Sequence, residues 1–316
     1  MTLPVGRLAP SPTGLLHLGH ARTFLLAYWH IRSRAGRLLM RLEDLDGPRA
    51  DPKFADAALE DLAWLGLDWD GPALLQSTGL ERLNNAISEL LARGLAYPCV
   101  CSRGDIRSAQ SAPHAEDTEP RYPGTCRGRY ASFADAERRS GRPAGARLIV
   151  PEGLVSIDDG VMGHSDWDVA RDVGDFLIAK RDKAPAYQLA VVLDDEGQAV
   201  TEVLRGRDLL PSTARQWHVQ RALGLAHPHW CHVPLVTDAA GRRLAKREAA
   251  LSLRELRSGG TDPRAIVAWL ARSAGLELGE RVTAAEVTHH FDLARLPLSD
   301  ARLEEDALAA LKGARY

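Results

Sequence analysis

Cysteine is scarce in this sequence, which has 4 cysteines in 316 residues: Cys99, Cys101, Cys126 and Cys231. The first three cluster and the fourth stands apart, which argues against the disulfide framework of a small secreted domain. In a reducing compartment, a close pair with a third cysteine more often indicates a metal site.

Long apolar runs and an excess of one charge are also lacking. No run approaches the ~20 apolar residues of a membrane-spanning helix, and residues 1–12 lack the apolar stretch of a signal peptide. We therefore expect no membrane partner and a cytoplasmic location. The net charge of −2 excludes a uniformly basic surface, so contact with nucleic acid has to come from a local patch.

The sequence does contain enough apolar residues, 45% of the chain, to build a sizeable core. Residues 5–9 and 38–42 read as strands, and residues 20–33, 52–65 and 80–93 read as helices. Strand, helix, strand and helix in this order predict an α/β fold with a parallel sheet and right-handed crossovers.

The regular pattern is interrupted by a polar stretch rich in Arg, Gly and Pro, from residue 98 to residue 151. It returns with strand-like segments, including residues 232–237, and with a helix at residues 212–223. We interpret the chain as one sheet domain split by an insertion and followed by a small helical part. The predicted segments are 1–95 and 166–240 for the two halves of the sheet domain, 96–165 for the insertion with a metal site, and 241–316 for a basic loop and the helical part.

The strongest chemical signal lies between the first strand and the first helix, in the sequence PSPTGLLHLGH of residues 10–20. Ligands of doubly wound sheets bind at the carboxyl ends of strands, beside helix N-termini that favour phosphate. Two imidazoles beside a glycine can hydrogen-bond the phosphate chain of ATP. Taken alone, the pattern is equally typical of two histidines that cap a helix.

A second signal is the basic run RRLAKR of residues 242–247, directly after the predicted strand 232–237. A basic loop at a strand end can bind pyrophosphate while negative charge develops during displacement at phosphorus. Taken alone, such a run is most often a solvated surface.

Together the two signals resemble the HIGH and KMSKS signatures of class I aminoacyl-tRNA synthetases, with HLGH at residues 17–20 and RLAKR at residues 243–247. Four further segments, in the order of the family, make the resemblance specific to glutamyl and glutaminyl synthetases: RLAPSPTG at 7–14, RLEDLD at 41–46, VVLDD at 191–195 and TEVLRGRDL at 201–209. The resemblance implies a Rossmann-type class I catalytic domain that is split by an acceptor-domain-like insertion.

The resemblance also implies a glutamate pocket. Its residues would be Arg7, Ala9, Ser11, Glu43, Tyr187 and Arg205. The two arginines would bind carboxylates with their planar guanidinium groups, and Glu43 would hold the ammonium. The alternative for Arg205 is a surface ion pair.

For ATP, the resemblance implies binding by His17, Gly19, His20 and Lys246. Mg²⁺ would bridge the phosphates, and the two histidines and the lysine would be the catalytic residues, because they stabilise the transferring and leaving phosphates. The enzyme would need no protein nucleophile.

Three thiols, of Cys99, Cys101 and Cys126, suit zinc, but structural zinc sites usually have four ligands. The chain resembles a shorter group of the family, the glutamyl-Q tRNA(Asp) synthetases, in which a tyrosine four residues before the last cysteine is the fourth ligand. Tyr122 has this position, whereas Gly128 replaces the histidine that zinc-binding glutamyl-tRNA synthetases carry. Three thiols without metal are the alternative.

A second group of possible ligands lies at His227, His229, Cys231 and His232. It leads directly into a predicted core strand, in which alternate side chains point to opposite faces. We therefore predict no metal there.

Arginines are concentrated in and after the insertion, with two tyrosines among them. They are Arg121, Arg127, Arg129, Arg138, Arg139, Arg142 and Arg147. Such a set fits phosphate contact and base stacking in an RNA interface. A solvated arginine surface is the alternative.

The length after the basic run also resembles the shorter group, since residues 248–316 are too few for a large anticodon-binding domain. That group activates glutamate without tRNA and attaches it to the queuosine base of tRNA(Asp). The resemblance thus implies a ligase whose partners are ATP, glutamate and queuosine-bearing tRNA(Asp), and we expect a monomer. The alternatives are a compact glutamyl-tRNA synthetase that charges a 3′ end, an inactive synthetase-like RNA-binding protein, and an adenylating enzyme with another acceptor.

Overall fold

The computed structural model describes residues 3–108, 121–242, 244 and 252–315. Within them the strands, in chain order, are β1 (Val5–Leu8), β2 (Arg37–Leu42), β3 (Leu74–Leu75), β4 (Ala96–Cys99), β5 (Gly145–Leu148), β6 (Val155–Asp159), β7 (Gly163–Trp167), β8 (Leu177–Ala179), β9 (Glu202–Gly206), β10 (His229–Val233), β11 (Val236–Thr237) and β12 (Ala301–Arg302).

The α-helices of the same residues alternate with these strands in the first part of the chain and dominate its end. They are α1 (Leu18–Arg32), α2 (Pro52–Trp64), α3 (Leu80–Ala92), α4 (Arg103–Ser108), α5 (Phe133–Ser140), α6 (Val169–Asp172), α7 (Tyr187–Gly197), α8 (Leu210–Leu223), α9 (Leu253–Ser258), α10 (Pro263–Ser273), α11 (Ala284–Thr288) and α12 (Glu305–Gly313).

The central strands are parallel, as predicted. β1 pairs with β2 in the register Arg7↔Leu39, and β2 continues to β3. β9 and β10 form a second parallel pair. The two pairs lie side by side, because the amide of Thr201 donates to the carbonyl of Val5 at 2.9 Å and β1 contacts β9. The carboxyl ends of β1, β2 and β9 therefore open on the same side of the molecule.

The insertion forms antiparallel structure of its own. β4, β5 and β8 make one sheet, and β6 and β7 make a hairpin. β8 follows the expected boundary at residue 165 but pairs with β5. The domain boundaries stay a proposal, and this pairing favours an insertion that extends through Ala179.

The helix ends follow the local sequence signals. Asp51 caps α2 by accepting from the amide of Lys53, and Thr283 with Glu286 forms the capping box of α11. Gly94 and Gly224 have the left-handed φ values of 67° and 69° beyond α3 and α8. These short-range signals therefore determine where the helices begin and end.

The predicted strand at residues 232–237 is wrong in its limits. β10 begins earlier, at His229, and ends at Val233, and the short β11 follows after Pro234. Proline has no amide hydrogen to donate to a strand ladder, so the strand is broken there.

One apolar core joins the first half of the sheet to the C-terminal helices. It contains Leu25 and Trp29 of α1 together with Ile266 and Leu270 of α10, all fully buried. The buried Arg22 strengthens this junction, because its Nε donates to the hydroxyl of Ser273 at 2.9 Å. The helical part therefore packs directly against the helix that carries the HLGH segment.

A second core lies beneath the insertion and the other half of the sheet, between α3, β5, β6, α7 and α8. In the described part of the chain, no helix combines the length and the apolarity needed to cross a membrane.

Candidate active site

The HLGH segment lies at the N-terminus of α1, just beyond the carboxyl end of β1. His17 is the N-cap, and its Nδ1 accepts from the amide of Gly19 at 3.1 Å. The rings of His17 and His20 are stacked with centroids 3.7 Å apart. A Cβ at Gly19 would lie 2.9 Å from Cε1 of His17, so the glycine leaves room for the ring. The two histidines thus lie where a helix N-terminus favours phosphate.

The basic loop begins and ends near this segment. Lys246 lies outside the described residues, but both flanks of the loop are described. On one side the amide of Leu244 donates to the carbonyl of Val236 at 3.4 Å. On the other, Ser252 forms a β-bridge with His17. The described residues on both sides of Lys246 therefore lie near the histidine motif.

Two of the expected glutamate residues, Arg7 and Glu43, belong to a network of buried charges. Arg41, fully buried on β2, donates from Nη1 to Oδ1 of Asp195 at 2.8 Å and from Nη2 to Oε1 of Glu43 at 3.2 Å. The Nε of Arg7 donates to the same Asp195 oxygen at 3.3 Å. The carboxylate of Asp195, on α7, thus binds two arginines from neighbouring strands.

These charges oppose the effect of burial to different extents. Burial raises the pKa of Glu43, although Arg41 and Arg7 act in the opposite direction. Burial would also raise the pKa of Asp195, but here Arg41 and Arg7 prevail, and its pKa lies below the usual range. The arginines thus keep Asp195 ionised, whereas burial shifts Glu43 towards its neutral form.

Arg205, on β9, has a different environment. It is only 4% exposed, which excludes a surface ion pair. Its Nε donates to Nε2 of His232 at 2.9 Å, and its Nη2 donates to the hydroxyl of Thr213 at 2.8 Å. Nη1 is buried and has no hydrogen-bond partner among the described residues. Burial lowers the pKa of this guanidinium below its usual range.

The remaining pocket residues lie at the edge of this group. The amide of Glu43 donates to the carbonyl of Pro10 at 3.0 Å, which fixes Ala9 and Ser11 beside the end of β2. Tyr187, the first residue of α7, is 38% exposed. Loss of water raises the pKa of its phenol, and the charges of Arg205 and Glu43 also act on it. Tyr187 therefore lies at the exposed edge of this group of charged side chains.

Several residues of this site were not predicted from the sequence. Arg41 and Asp195 stood inside the motifs RLEDLD and VVLDD without an assigned role. Asp159 was missed, although the alternation of buried and exposed residues along β6 puts its carboxylate on the buried face. A carboxylate on a buried face needs a partner, and this was the available signal.

The thiols expected to bind zinc do come together in the insertion. Sγ of Cys101 lies 3.5 Å from Sγ of Cys126 and 3.8 Å from the hydroxyl of Tyr122. That hydroxyl lies 3.4 Å from Sγ of Cys99. Because ligands at the usual zinc distances lie about 3.7 Å apart in a tetrahedron, this set fits one zinc ion.

Burial and hydrogen bonding shift the pKa values of two of these thiols in opposite directions. A hydrogen bond with Cys99 lowers the pKa of Cys126 to about 6, whereas the same bond and burial raise the pKa of Cys99. One thiolate, the form that binds metal, is thus favoured at neutral pH.

The arginines that were expected to contact RNA have different environments: one is buried, and others pair with aspartates or lie over a tyrosine ring. Arg147 is 6% exposed, lies 3.8 Å above the ring of Tyr122, and donates to Sγ of Cys99. It supports the cysteine cluster and is not on the surface. Arg127 pairs with Asp175, and Arg142 pairs with Asp105. Arg129 and Arg139 lie over the ring of Tyr130, and Arg139 also pairs with Asp135 at 3.3 Å; RNA contact by this surface stays a prediction.

A second group of possible metal ligands consists of His30, Glu202 and Cys231, whose ligand atoms lie within 4.8 Å of one another. Glu202 already forms an ion pair with Arg34, whose Nη1 lies 3.0 Å from Oε1 of the carboxylate. An ion pair therefore accounts for this cluster. The sequence also contains the cluster of residues 227–232, for which we predicted no metal. In it, Nδ1 of His232 lies 2.6 Å from Oδ2 of Asp159 and is hydrogen-bonded to it.

The model of the family described as tRNA synthetases class I (E and Q), catalytic domain, matches residues 5–310 of this chain. The chain belongs to this family. The predicted α/β fold of a class I synthetase catalytic domain is confirmed by two crystal structures. The glutamate tRNA ligases of Elizabethkingia meningosepticum and Elizabethkingia anophelis superpose with a TM-score of 0.82 each, over 98% of this chain and 69% and 70% of theirs, at 24% and 23% identity.

Within this class I family, the predicted resemblance to the shorter group is confirmed. The glutamyl-Q tRNA(Asp) synthetase of Symbiobacterium thermophilum is 42% identical over 98% of both chains. That of Nocardia farcinica is 45% identical over 92% of this chain and 90% of its own. The glutamate–tRNA ligase of Azorhizobium caulinodans is 38% identical over 99% of this chain and 66% of its own.

Proposed function

We propose that this protein activates glutamate with ATP and transfers it to the queuosine base of tRNA(Asp). Relatives at 42% and 45% identity over nearly their full length bear the name of that reaction. The single observation that supports glutamate as the substrate is the buried Nη1 of Arg205, which has no hydrogen-bond partner within the described part of the chain. A buried cationic donor requires an anionic acceptor, and a substrate carboxylate is a suitable one.

The other groups of a free glutamate also find suitable partners. Arg7 and Arg205 bind the two carboxylates; the two arginines lie near each other, at the carboxyl ends of β1 and β9, and the charges of both act on the phenol of Tyr187. Glu43, which directly follows β2 beside them, binds the ammonium. Ala9, Ser11 and Tyr187 complete the cleft. This assignment matches three charged groups of the ligand with three of opposite sign.

The first step is displacement at phosphorus. An oxygen of the glutamate α-carboxylate attacks the α-phosphorus of ATP, the bond to the bridging oxygen breaks, and pyrophosphate leaves. His17 and His20 at the N-terminus of α1 bind the phosphates, with Gly19 allowing their approach. Mg²⁺ supplies further positive charge on the phosphates. Positioning and charge stabilisation account for the catalysis.

Lys246 stabilises the leaving pyrophosphate, and its loss tests this role. We expect Lys246→Ala to lower the rate of glutamate-dependent pyrophosphate exchange about 10²–10³-fold, as for removal of one donor to a developing charge. Exchange at the wild-type rate would contradict the assignment. Lys183→Ala, at a surface pair with Glu137, is the control that keeps the wild-type rate.

In the second step a hydroxyl of the queuosine base attacks the glutamyl carbonyl, and AMP leaves. The test is transfer of labelled glutamate to tRNA pools that contain or lack queuosine. We expect label only in queuosine-containing tRNA(Asp). Label at the 3′ end of tRNA(Glu) would favour the second candidate, a compact glutamyl-tRNA synthetase, which the 38% identity to a glutamate–tRNA ligase supports. Exchange without labelled RNA would indicate another acceptor, and no exchange would overturn the enzyme.

We also propose that Cys99, Cys101, Tyr122 and Cys126 bind one zinc ion, which would hold the insertion in shape. The buried Arg147 offsets part of the negative charge of these ligands. Metal analysis of the purified protein should give one zinc per chain and none in Cys101→Ser. Cys231→Ser, outside the cluster, is the matched control, and zinc retained in Cys101→Ser would contradict the site. A monomeric state and a cytoplasmic location stay predictions.

A further inference from the structure

Three buried side chains from different segments form a hydrogen-bonded row that ends at the proposed substrate. Asp159 ends β6, His232 lies in β10, and Arg205 lies in β9. Oδ2 of Asp159 lies 2.6 Å from Nδ1 of His232, and both side chains are fully buried. The other nitrogen of the ring, Nε2, accepts from Nε of Arg205 at 2.9 Å.

The direction of these bonds follows from the groups themselves. A guanidinium can only donate, so Nε2 of His232 has to accept, and the proton of the neutral ring is on Nδ1. That proton is donated to Asp159. The same carboxylate accepts from the backbone amides of His232, Val161 and Met162 at 2.9–3.1 Å. Asp159 is therefore held by the turn between β6 and β7 and cannot rotate away from the ring.

This row fixes the direction in which Arg205 presents its free nitrogen. The guanidinium is planar, and two of its nitrogens are held, Nε by His232 and Nη2 by Thr213 at 2.8 Å. The position of Nη1 is then fixed as well. Because both holding groups are neutral, the positive charge of Arg205 is not cancelled by its supports.

We propose that His232 and Asp159 are positioning residues that fix Arg205 for a carboxylate and so set the preference for glutamate over glutamine. This inference rests on the proposed function. The imidazole keeps the Asp159 carboxylate one ring away from the guanidinium. A carboxylate in direct contact would neutralise Arg205, whereas the present arrangement leaves a fixed cation that favours an anionic ligand over a neutral amide.

The test compares two variants with one matched control in pyrophosphate exchange driven by glutamate or by glutamine. His232→Leu removes the acceptor for Nε, and Thr213→Val removes the acceptor for Nη2 with little change in shape. We expect the KM for glutamate to rise about 10–100-fold in His232→Leu, as for a displacement of about 1 Å at a reacting ligand. His218→Gln, a buried histidine of α8 that is 5% exposed, should keep the wild-type KM.

Two readouts separate positioning from a general structural effect. The KM for ATP should change less than about twofold, and the ratio of kcat/KM for glutamate to that for glutamine should fall, because the amide depends less on a fixed cation. His232→Gln, whose side-chain oxygen can accept from Nε, should recover part of the affinity. If His232→Leu does not fold, Thr213→Val decides, with a smaller rise in KM and the same fall in the ratio.

Failure of the positioning role and failure of the proposed function give different results. A folded His232→Leu or Thr213→Val variant with the wild-type KM for glutamate and the wild-type ratio overturns the positioning role and leaves the proposed function intact. A wild-type protein without glutamate-dependent exchange overturns the proposed function and the positioning role with it.

Discussion

Two buried arginines lie on the strands that flank β1, Arg41 on β2 and Arg205 on β9, and their surroundings differ. Arg41 is fully buried, donates to Asp195 and to Glu43, and contacts Asp194 at 4.0 Å. Burial alone would lower its pKa, but these carboxylates raise it above the usual range. Arg205 donates to neutral groups, has one nitrogen without a partner among the described residues, and has a lowered pKa.

The difference separates a structural cation from a ligand-binding one. A buried charge is stable when opposite charges and hydrogen bonds surround it. Arg41 has three carboxylates around it and joins β2 to α7, although its Nε has no hydrogen bond among the described residues and lies 4.0 Å from Asp194. Arg205 donates to neutral groups, and under the proposed function a substrate anion supplies its opposite charge. Burial alone therefore does not identify a binding arginine; the charge of its partners does.

The largest effect is expected from Arg41→Met, which removes the cation from the first network. Asp195 and Glu43 would then remain buried, with Arg7 as the remaining arginine bonded to Asp195 and Arg205 at longer range. We expect the free energy of unfolding to fall by about 3–5 kcal/mol, as when one partner of a buried ion pair is removed. Urea unfolding measures this change.

The matched control is Arg37→Met on the same strand, where the arginine is exposed. Its free energy of unfolding should stay within about 0.5 kcal/mol of the wild type. If Arg41→Met is as stable as this control, the network contributes nothing and the comparison fails.

The next effect is on binding, from Arg205→Ala. The substrate carboxylate loses its buried donor, so glutamate binding should weaken by about 2–5 kcal/mol, or about 30- to 5,000-fold. The free energy of unfolding should fall less than in Arg41→Met, since only neutral groups lose a partner. Calorimetric titration with glutamate and urea unfolding measure the two quantities.

Arg207→Ala is the control for this variant, because Arg207 is two residues away but pairs with Asp300 at 2.7 Å. It should bind glutamate as the wild type does. Wild-type affinity in Arg205→Ala would rule out the carboxylate role.

The smallest expected change in stability comes from Asp61 of α2, a buried carboxylate outside the candidate pocket. Its side chain is fully buried, and neither oxygen has a hydrogen-bond partner among the described residues, although Arg257 lies 3.3 Å away. Burial raises its pKa from 3.8 to about 6. Between these values the folded protein binds more protons than the unfolded chain, so stability falls as the pH rises.

We therefore expect Asp61→Asn to be more stable than the wild type by about 1–2 kcal/mol at pH 7–8, after allowance for the ion pair and for solvent screening. The difference should shrink as the pH falls and vanish below about pH 3, under both pKa values, where the wild-type carboxyl is neutral in both states. Urea unfolding at the two pH values measures it. A variant that is less stable at pH 8 would show that pairing with Arg257 prevails over burial.

The sequence predicted part of the candidate site because its signals are local. HLGH and the segments 7–14, 41–46 and 201–209 are short runs, and the structure puts Arg7, Glu43 and Arg205 at the carboxyl ends of β1, β2 and β9, with the two histidines at the start of α1. The alternation along β2 puts Arg41 and Glu43 on one face, which was available from the sequence. Nothing local indicates that Asp195, 154 residues from Arg41, binds it.

The arginines of the insertion show the limit of such reasoning. A count of arginines grouped Arg147 with an RNA-binding surface, yet it is buried between Tyr122 and Cys99. Composition records the charge but not the face on which it lies. The row from Asp159 to Arg205 was hidden for the same reason, since 73 residues separate Asp159 from His232.

The sequence by itself determined the helix ends, the parallel α/β order and the residue types of the site, because caps, periodicity and motifs act within a few residues. Only the tertiary structure decided which arginine is neutralised and which remains available to a ligand. That outcome depends on burial and on partners from distant segments, and both exist only when the chain is folded.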